Sequence, residues 1–138
     1  MPFAFNSDNF PFVKITFLGK IKTDIEFDEF TNSWEKIYER EEPFILICDT
    51  IKMKIPALKY SIKMAEFIKK LKKKNPQYLQ KSIIIVKKRI IVSLLDFIFL
   101  IQPPVAPVYV TKNSIDSFDN INKIKVIKKF YPRKYLDI

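Results

Sequence analysis

The chain has no histidine, one glycine and one cysteine in 138 residues. Each shortage closes off a class of chemistry. Without histidine there is no Ser-His or Cys-His nucleophile system, and nearly all zinc and haem sites lose a usual ligand. With Gly19 as the one glycine, neither a phosphate-binding loop nor a dinucleotide fingerprint can be written. Cys48 has no partner for an internal disulfide. It lies inside an apolar run, where it reads as core filler in a reducing, intracellular (cytoplasmic) setting. No metal and no cofactor are expected, and no acid, base and nucleophile assemble to make an enzyme. No stretch reaches the roughly 20 apolar residues of a membrane-spanning helix. The most apolar run, Ile90 to Ile101, carries Asp96 and ends at Gln102-Pro103-Pro104. The opening MPFAFNSDNF has neither a positive start nor a long apolar core, so no secretory signal is expected.

What is present is a periodic, half-apolar chain with a strong charge gradient. Its length suits a single domain, 1–138, with a core over about 10–130 and a basic, aromatic tail at 131–138. Residues 1–50 hold five Lys/Arg against ten Asp/Glu, a net of −5. Residues 51–138 hold twenty against five, a net of +15, which together make the chain's +10. Such a surface attracts acidic partners, nucleic acid or anionic lipid.

Alternation in FVKITFLG, from Phe12, predicts a strand, and Gly19-Lys20 a turn. KTDIEF, Lys22 to Phe27, alternates again and is expected to pair back as a hairpin. Asp28 is a candidate cap for a helix carrying Phe30, Trp34, Ile37 and Tyr38 and ended by Pro43. FILICDT, Phe44 to Thr50, is a continuous apolar strand, the pattern of burial on both faces. Pro56 suits the first position of a long helix, in which Leu58, Ile62, Ala65, Ile68 and Leu71 form an apolar stripe. Lys59, Lys63, Lys70 and Lys74 line another face, and Asn75-Pro76 stops the helix. SIIIV, Ser82 to Val86, is a second buried strand. Ile90 to Ile101 reads as a short apolar helix, with a strand as the competing reading. APVYVT, from Ala106, is a strand. Ser114 or Asp116 is expected to cap a final helix over 115–130, with Phe118, Ile121, Ile124 and Ile127 inward. The predicted fold is α/β, a mixed and mainly parallel sheet of about five strands in the order β-β-α-β-α-β-α-β-α.

That order resembles the STAS and CRAL-TRIO group, which includes anti-sigma-factor antagonists and lipid-transfer domains. FILICDTIKMKIPALKYSIKMAEFIKKLKK is similar to the central strand, loop and long helix of a STAS domain. NPQYLQKSIIIV, the apolar helix ending at Pro103-Pro104 and APVYVT are similar to the matching part of a CRAL-TRIO core. The resemblance implies a non-enzymatic protein-interaction module or a subunit of a larger assembly. On its CRAL-TRIO side it implies an anionic-lipid or lipid-transfer module. Two departures stand out. The antagonists' phosphorylatable serine is replaced by KIPALKY, with Ser61 a turn further on, and the chain is too short for the extra helices and lid of a lipid carrier.

The candidate contact set follows the central strand: Asp49, Lys52, Met53, Lys54, Ile55, Lys59, Tyr60 and Lys63. Asp49 sits at the carboxyl end of a buried strand, where open sheets place ligands, or it caps the amides of the next loop. The mixture of Ile, Met, Tyr and Lys over 51–60 suits a protein interface, or its apolar members fold into the core. Lys69, Lys70, Lys73 and Lys74 are candidates for anion binding, or form a solvated helix end. A basic nucleic-acid-associated protein is the further alternative. Ile90 to Ile101 is either buried on nearly all sides or docks another chain as a partner or homo-oligomer surface.

Overall fold

The computed structural model describes residues 1–115 and 118–132. Strand β1 (Phe3–Asn9) pairs antiparallel with β2 (Phe12–Phe17) around a turn at Phe10-Pro11. Helix α1 (Asp24–Ile37) leads to β3 (Phe44–Asp49). Helix α2 (Leu58–Lys72) leads to β4 (Leu79–Ile85), and α3 (Arg89–Ile101) leads to β5 (Val108–Thr111). A 3-10 segment (Phe118–Lys123) precedes β6 (Val126–Phe130). The six strands lie side by side in chain order; β2 to β5 run parallel, and β1 and β6 close the edges antiparallel.

Strand alternation divides the core in two. Ile15, Phe17, Leu46, Cys48, Ile84, Val108 and Val110 face the helical layer and share one cluster with Phe27, Phe30, Trp34, Tyr60, Phe67, Leu71 and Ile91. Ile47, Ile83 and Ile85 face the other way and meet Ile115 and Ile121, with Phe118 and Ile124 beside them. Phe118 stacks on Phe12 at 4.9 Å between ring centres. β3 and β4 are thus covered on both faces, as their continuous apolar runs predict.

The structure corrects several expectations. Residues 22–27 are not a strand. Thr23 and Glu26 form a capping box: Thr23 Oγ1 accepts from Glu26 N (3.1 Å), and Glu26 Oε1 accepts from Thr23 N (3.2 Å) and Lys22 N (2.8 Å). The helix therefore starts one turn before Asp28, and the partner of β2 is the upstream segment, where Phe3 and Phe5 alternate with Ala4 and Asn6. α2 begins at Leu58 with Ala57 as its cap, two residues after Pro56. Leu58 and Ile62 of its expected apolar stripe are exposed, and Tyr60, Ser61 and Phe67 are buried instead. The sheet has six strands, because the expected terminal helix is replaced by the 3-10 segment and β6, where Ile127 points to solvent. Asp116 and residues 133–138 of the tail lie outside the described residues.

Polar bonds around Thr111 turn the chain into β6. The buried Thr111 hydroxyl donates to Lys125 O (2.8 Å) and accepts from Asn113 N (3.1 Å), while Asn113 Oδ1 accepts from Lys125 N (2.7 Å). Thr111→Val keeps the shape and removes the hydroxyl's bonds to the Lys125 carbonyl and the Asn113 amide, both in exposed residues that water can reach. It should cost about 0.5–1.5 kcal/mol in chemical denaturation.

Candidate functional site

The loop after β3 is pinned at four points. Asp49 Oδ1 accepts from Ile51 N (3.0 Å), which is the capping arrangement. The Thr50 hydroxyl donates to Ile85 O (2.6 Å), Met53 N to Thr50 O (3.1 Å) and Lys54 N to Gly19 O (3.1 Å). Met53 and Ile55 are half-buried against the core, and Lys52 and Lys54 are exposed. Tyr60 is 4% exposed, not part of an open surface. Its ring stacks on Phe27 at 5.8 Å, and its hydroxyl lies within hydrogen-bond reach of Lys22 O (3.2 Å) and Asp24 Oδ1 (3.1 Å). The eight candidate contacts therefore separate into inward, paired and outward groups.

The lysine row of α2 turns out to face α1. Lys59 and Lys63 both reach Asp24 Oδ1, at 3.1 and 3.3 Å. Lys70 reaches Glu35 Oε1 at 2.9 Å, and Lys74 lies over the Tyr38 ring at 5.0 Å. The spacing 59, 63, 70 puts three of them on one flank of α2, where α1 supplies the opposite charge, and Lys74 continues the row just past the helix end. Of the anion-binding candidates, Lys70 pairs with Glu35 while staying exposed, Lys74 is half-buried over Tyr38, and Lys69 and Lys73 are exposed.

The other flank of α2 is apolar, open at Leu58 and Ile62 and buried at Ala65. Leu58, Ile62 and Ala65 follow one another at helical spacing, ending at Lys69. On α3, Ile90, Leu94, Phe97 and Ile101 repeat the same 4-3-4 spacing. Ala65 and Leu94 belong to one small cluster with Ile68 and Ile98, so the two stripes border the seam between the helices. Leu58 is 63% exposed, Ile90 56% and the neighbouring Leu100 80%; Ile62, Phe97 and Ile101 are also exposed. Only Ile91 and Ile98 of α3 are fully buried. Beneath the two helices, against the sheet, lies a partly open cavity of about 140 Å³.

No family model matches the chain, and no curated protein or solved structure does either. What the arrangement can do is therefore argued from its chemistry. Among the described residues no group of His, Cys, Asp and Glu is placed to hold a metal ion, and no helix is long and apolar enough to cross a membrane. Burial pushes the Cys48 thiol up to about 12, with Asp49 beside it adding to the shift, so the thiol is neutral and a poor nucleophile. Spacing alone held a signal for the seam, since Ile90, Leu94, Phe97 and Ile101 form a stripe. Which flank stays uncovered was not readable without the neighbours.

Hydrogen bonds from Lys59, Tyr60 and Lys63 hold the Asp24 carboxyl below its ordinary 3.8, and Asp24 holds Lys59 above its ordinary 10.5. A lowered carboxylate stabilises the fold above its unfolded value, and that contribution is lost as pH falls through the lowered one. The Lys59 share is complete below 10.5 and fades as pH rises beyond it. Asp24→Asn should therefore lower Tm by a small amount at neutral pH, since the pairs are exposed. The gap to the parent chain should close on acidification below 3.8, read by thermal melts across pH.

Proposed function

We propose that the chain is a non-enzymatic, STAS-like protein-interaction module that docks an apolar segment of a protein partner along the α2–α3 seam. The observation that carries this reading is the pair of apolar stripes on adjacent helices, exposed at Leu58, Ile62, Ile90, Phe97 and Ile101. Isolated exposed apolar side chains are ordinary, but a contiguous row of large ones marks an interaction surface. Burying on a partner the part of each that is still exposed is worth about 0.7–1.5 kcal/mol in transfer free energy. Two rows that meet at a seam where the α2 row carries the small, buried Ala65 suit an amphipathic helix laid along it. The helix after the central strand is part of this face. The charged groups that the preceding loop leaves exposed are Lys52 and Lys54.

A second reading rests on a separate observation. Lys87, Lys88 and Arg89 are exposed at the head of α3, immediately before its apolar stripe. Basic residues beside an exposed apolar helix suit an anionic membrane surface. The nucleic-acid reading has less behind it, because much of the α2 lysine row is neutralised by α1.

The test compares the parent chain with a variant carrying Leu58→Glu and Ile90→Glu, the most open positions of the two stripes. The parent should retain a stoichiometric protein partner from its source cell at high salt. The variant should lose it by about 30-fold or more in affinity, with an unchanged melting temperature. Recovery that is equal for both proteins, or binding only to anionic vesicles and lost with salt, would overturn the protein-docking reading.

A further inference from the structure

The cavity under α2 and α3 has a chemistry of its own. Its walls are the sheet face (Leu46, Cys48, Ile84, Val108) and the inner sides of the helices, with Trp34 from α1. Among the described residues no charged side chain lines it. The Cys48 thiol on the wall is neutral. The Thr50 hydroxyl is committed to Ile85 O and the Tyr60 hydroxyl to the Lys22–Asp24 corner. That leaves Ser61 on α2 and Ser82 on β4, both buried, as the hydroxyls that a guest could meet.

Size sets the next limit. A volume of about 140 Å³ is well below the roughly 300–1,000 Å³ of pockets for drug-sized ligands. It is close to the approximately 150 Å³ apolar cavity that takes up benzene. A whole lipid does not fit, and a charged group would be desolvated with no counter-charge to meet it.

We propose that the partly open space between the sheet, α2 and α3 is a binding site for a small, uncharged, mainly hydrocarbon molecule of about benzene size, carrying at most one neutral hydroxyl or carbonyl directed at Ser61 or Ser82. The site lies beneath the helices, and the proposal does not rest on the docking reading. Occupancy would stiffen the seat of α2 and α3, since the guest touches Met64, Ile68, Ile91, Leu95 and Ile98 from within.

Trp34, the only tryptophan, lines the cavity and reports on it directly. The probe is cyclohexanol, added to the full chain and followed by Trp34 emission and by Tm. A saturable, one-to-one response with a raised Tm is expected. Cyclohexanecarboxylate at neutral pH should bind roughly tenfold more weakly or worse, because its charge is left unpaired. Ser82→Leu, which fills the space, should abolish the response at equal or higher Tm. Should that variant not fold, NMR on the parent chain decides. Shifts confined to Leu46, Ile84, Ile91 and Leu95 support the site. Shifts concentrated on Ile90 and Leu100 mean adsorption to the outer face and overturn it, as does the absence of a saturable Trp34 response. The double glutamate variant on the seam leaves the cavity walls intact, so its loss of partner and the loss of cyclohexanol binding are separate results.

Discussion

Parallel neighbours in a sheet are joined by crossovers of one hand, and this constraint shapes the whole chain. β2, β3, β4 and β5 are successive parallel neighbours, so α1, α2 and α3 are all placed on the same face. The opposite face of β3 and β4 is just as apolar and has no helix to cover it. The segment after β5 takes that role. Ile115, Phe118, Ile121 and Ile124 cross the back of the sheet over Ile47, Ile83 and Ile85, and the chain then returns as β6. A regular helix over 115–130 would leave the edge of β5 unpaired, with a row of free backbone donors and acceptors.

The same layering settles the electrostatics. The acidic and basic halves of the chain are far apart in sequence, yet α1 and α2 are neighbours in space. Asp24 and Glu35 meet Lys59, Lys63 and Lys70 across their seam. Part of the sequence's charge gradient is therefore internal pairing and not a surface field. The exposed basic groups that remain include Lys69 and Lys73 at the end of α2 and Lys87, Lys88 and Arg89 at the head of α3.

α3 lies at the far end of the helical row, with α2 on one side. Among the described residues its other flank meets β6, through Phe99 against Phe130 at 4.8 Å and Asp96 paired with Lys128 at 2.5 Å. A strongly apolar helix in that position has more apolar surface than its neighbours can cover. The surplus appears outside, as the row from Ile90 to Ile101, and the contact beneath is incomplete, as the cavity on the sheet face. Both candidate sites follow from one helix that is supported on too few sides.

The parts of this fold that could be read from the residues are those set by local periodicity. Phe44–Asp49 and the bodies of α2 and α3 follow from continuous apolar runs and a helical repeat, although α2 opens two residues after Pro56 and α3 one residue before Ile90. The start of α1 was missed because Ile25 and Phe27 mimic strand alternation, while the decisive signal is the Thr23–Glu26 capping box. The contact set after β3 was only partly placed. Asp49 and the lysines are where the chain order puts them, but Tyr60 turns inward and the lysine row turns to α1. The sequence by itself determined the α/β class, the central strands and the amphipathic helices, because those depend on side-chain period along a few consecutive residues. Tertiary structure alone decided that the C-terminal segment pairs as a strand, which helix flank stays open and where a cavity forms. Each of these depends on which neighbour lies across a gap, and no periodicity along the chain encodes that.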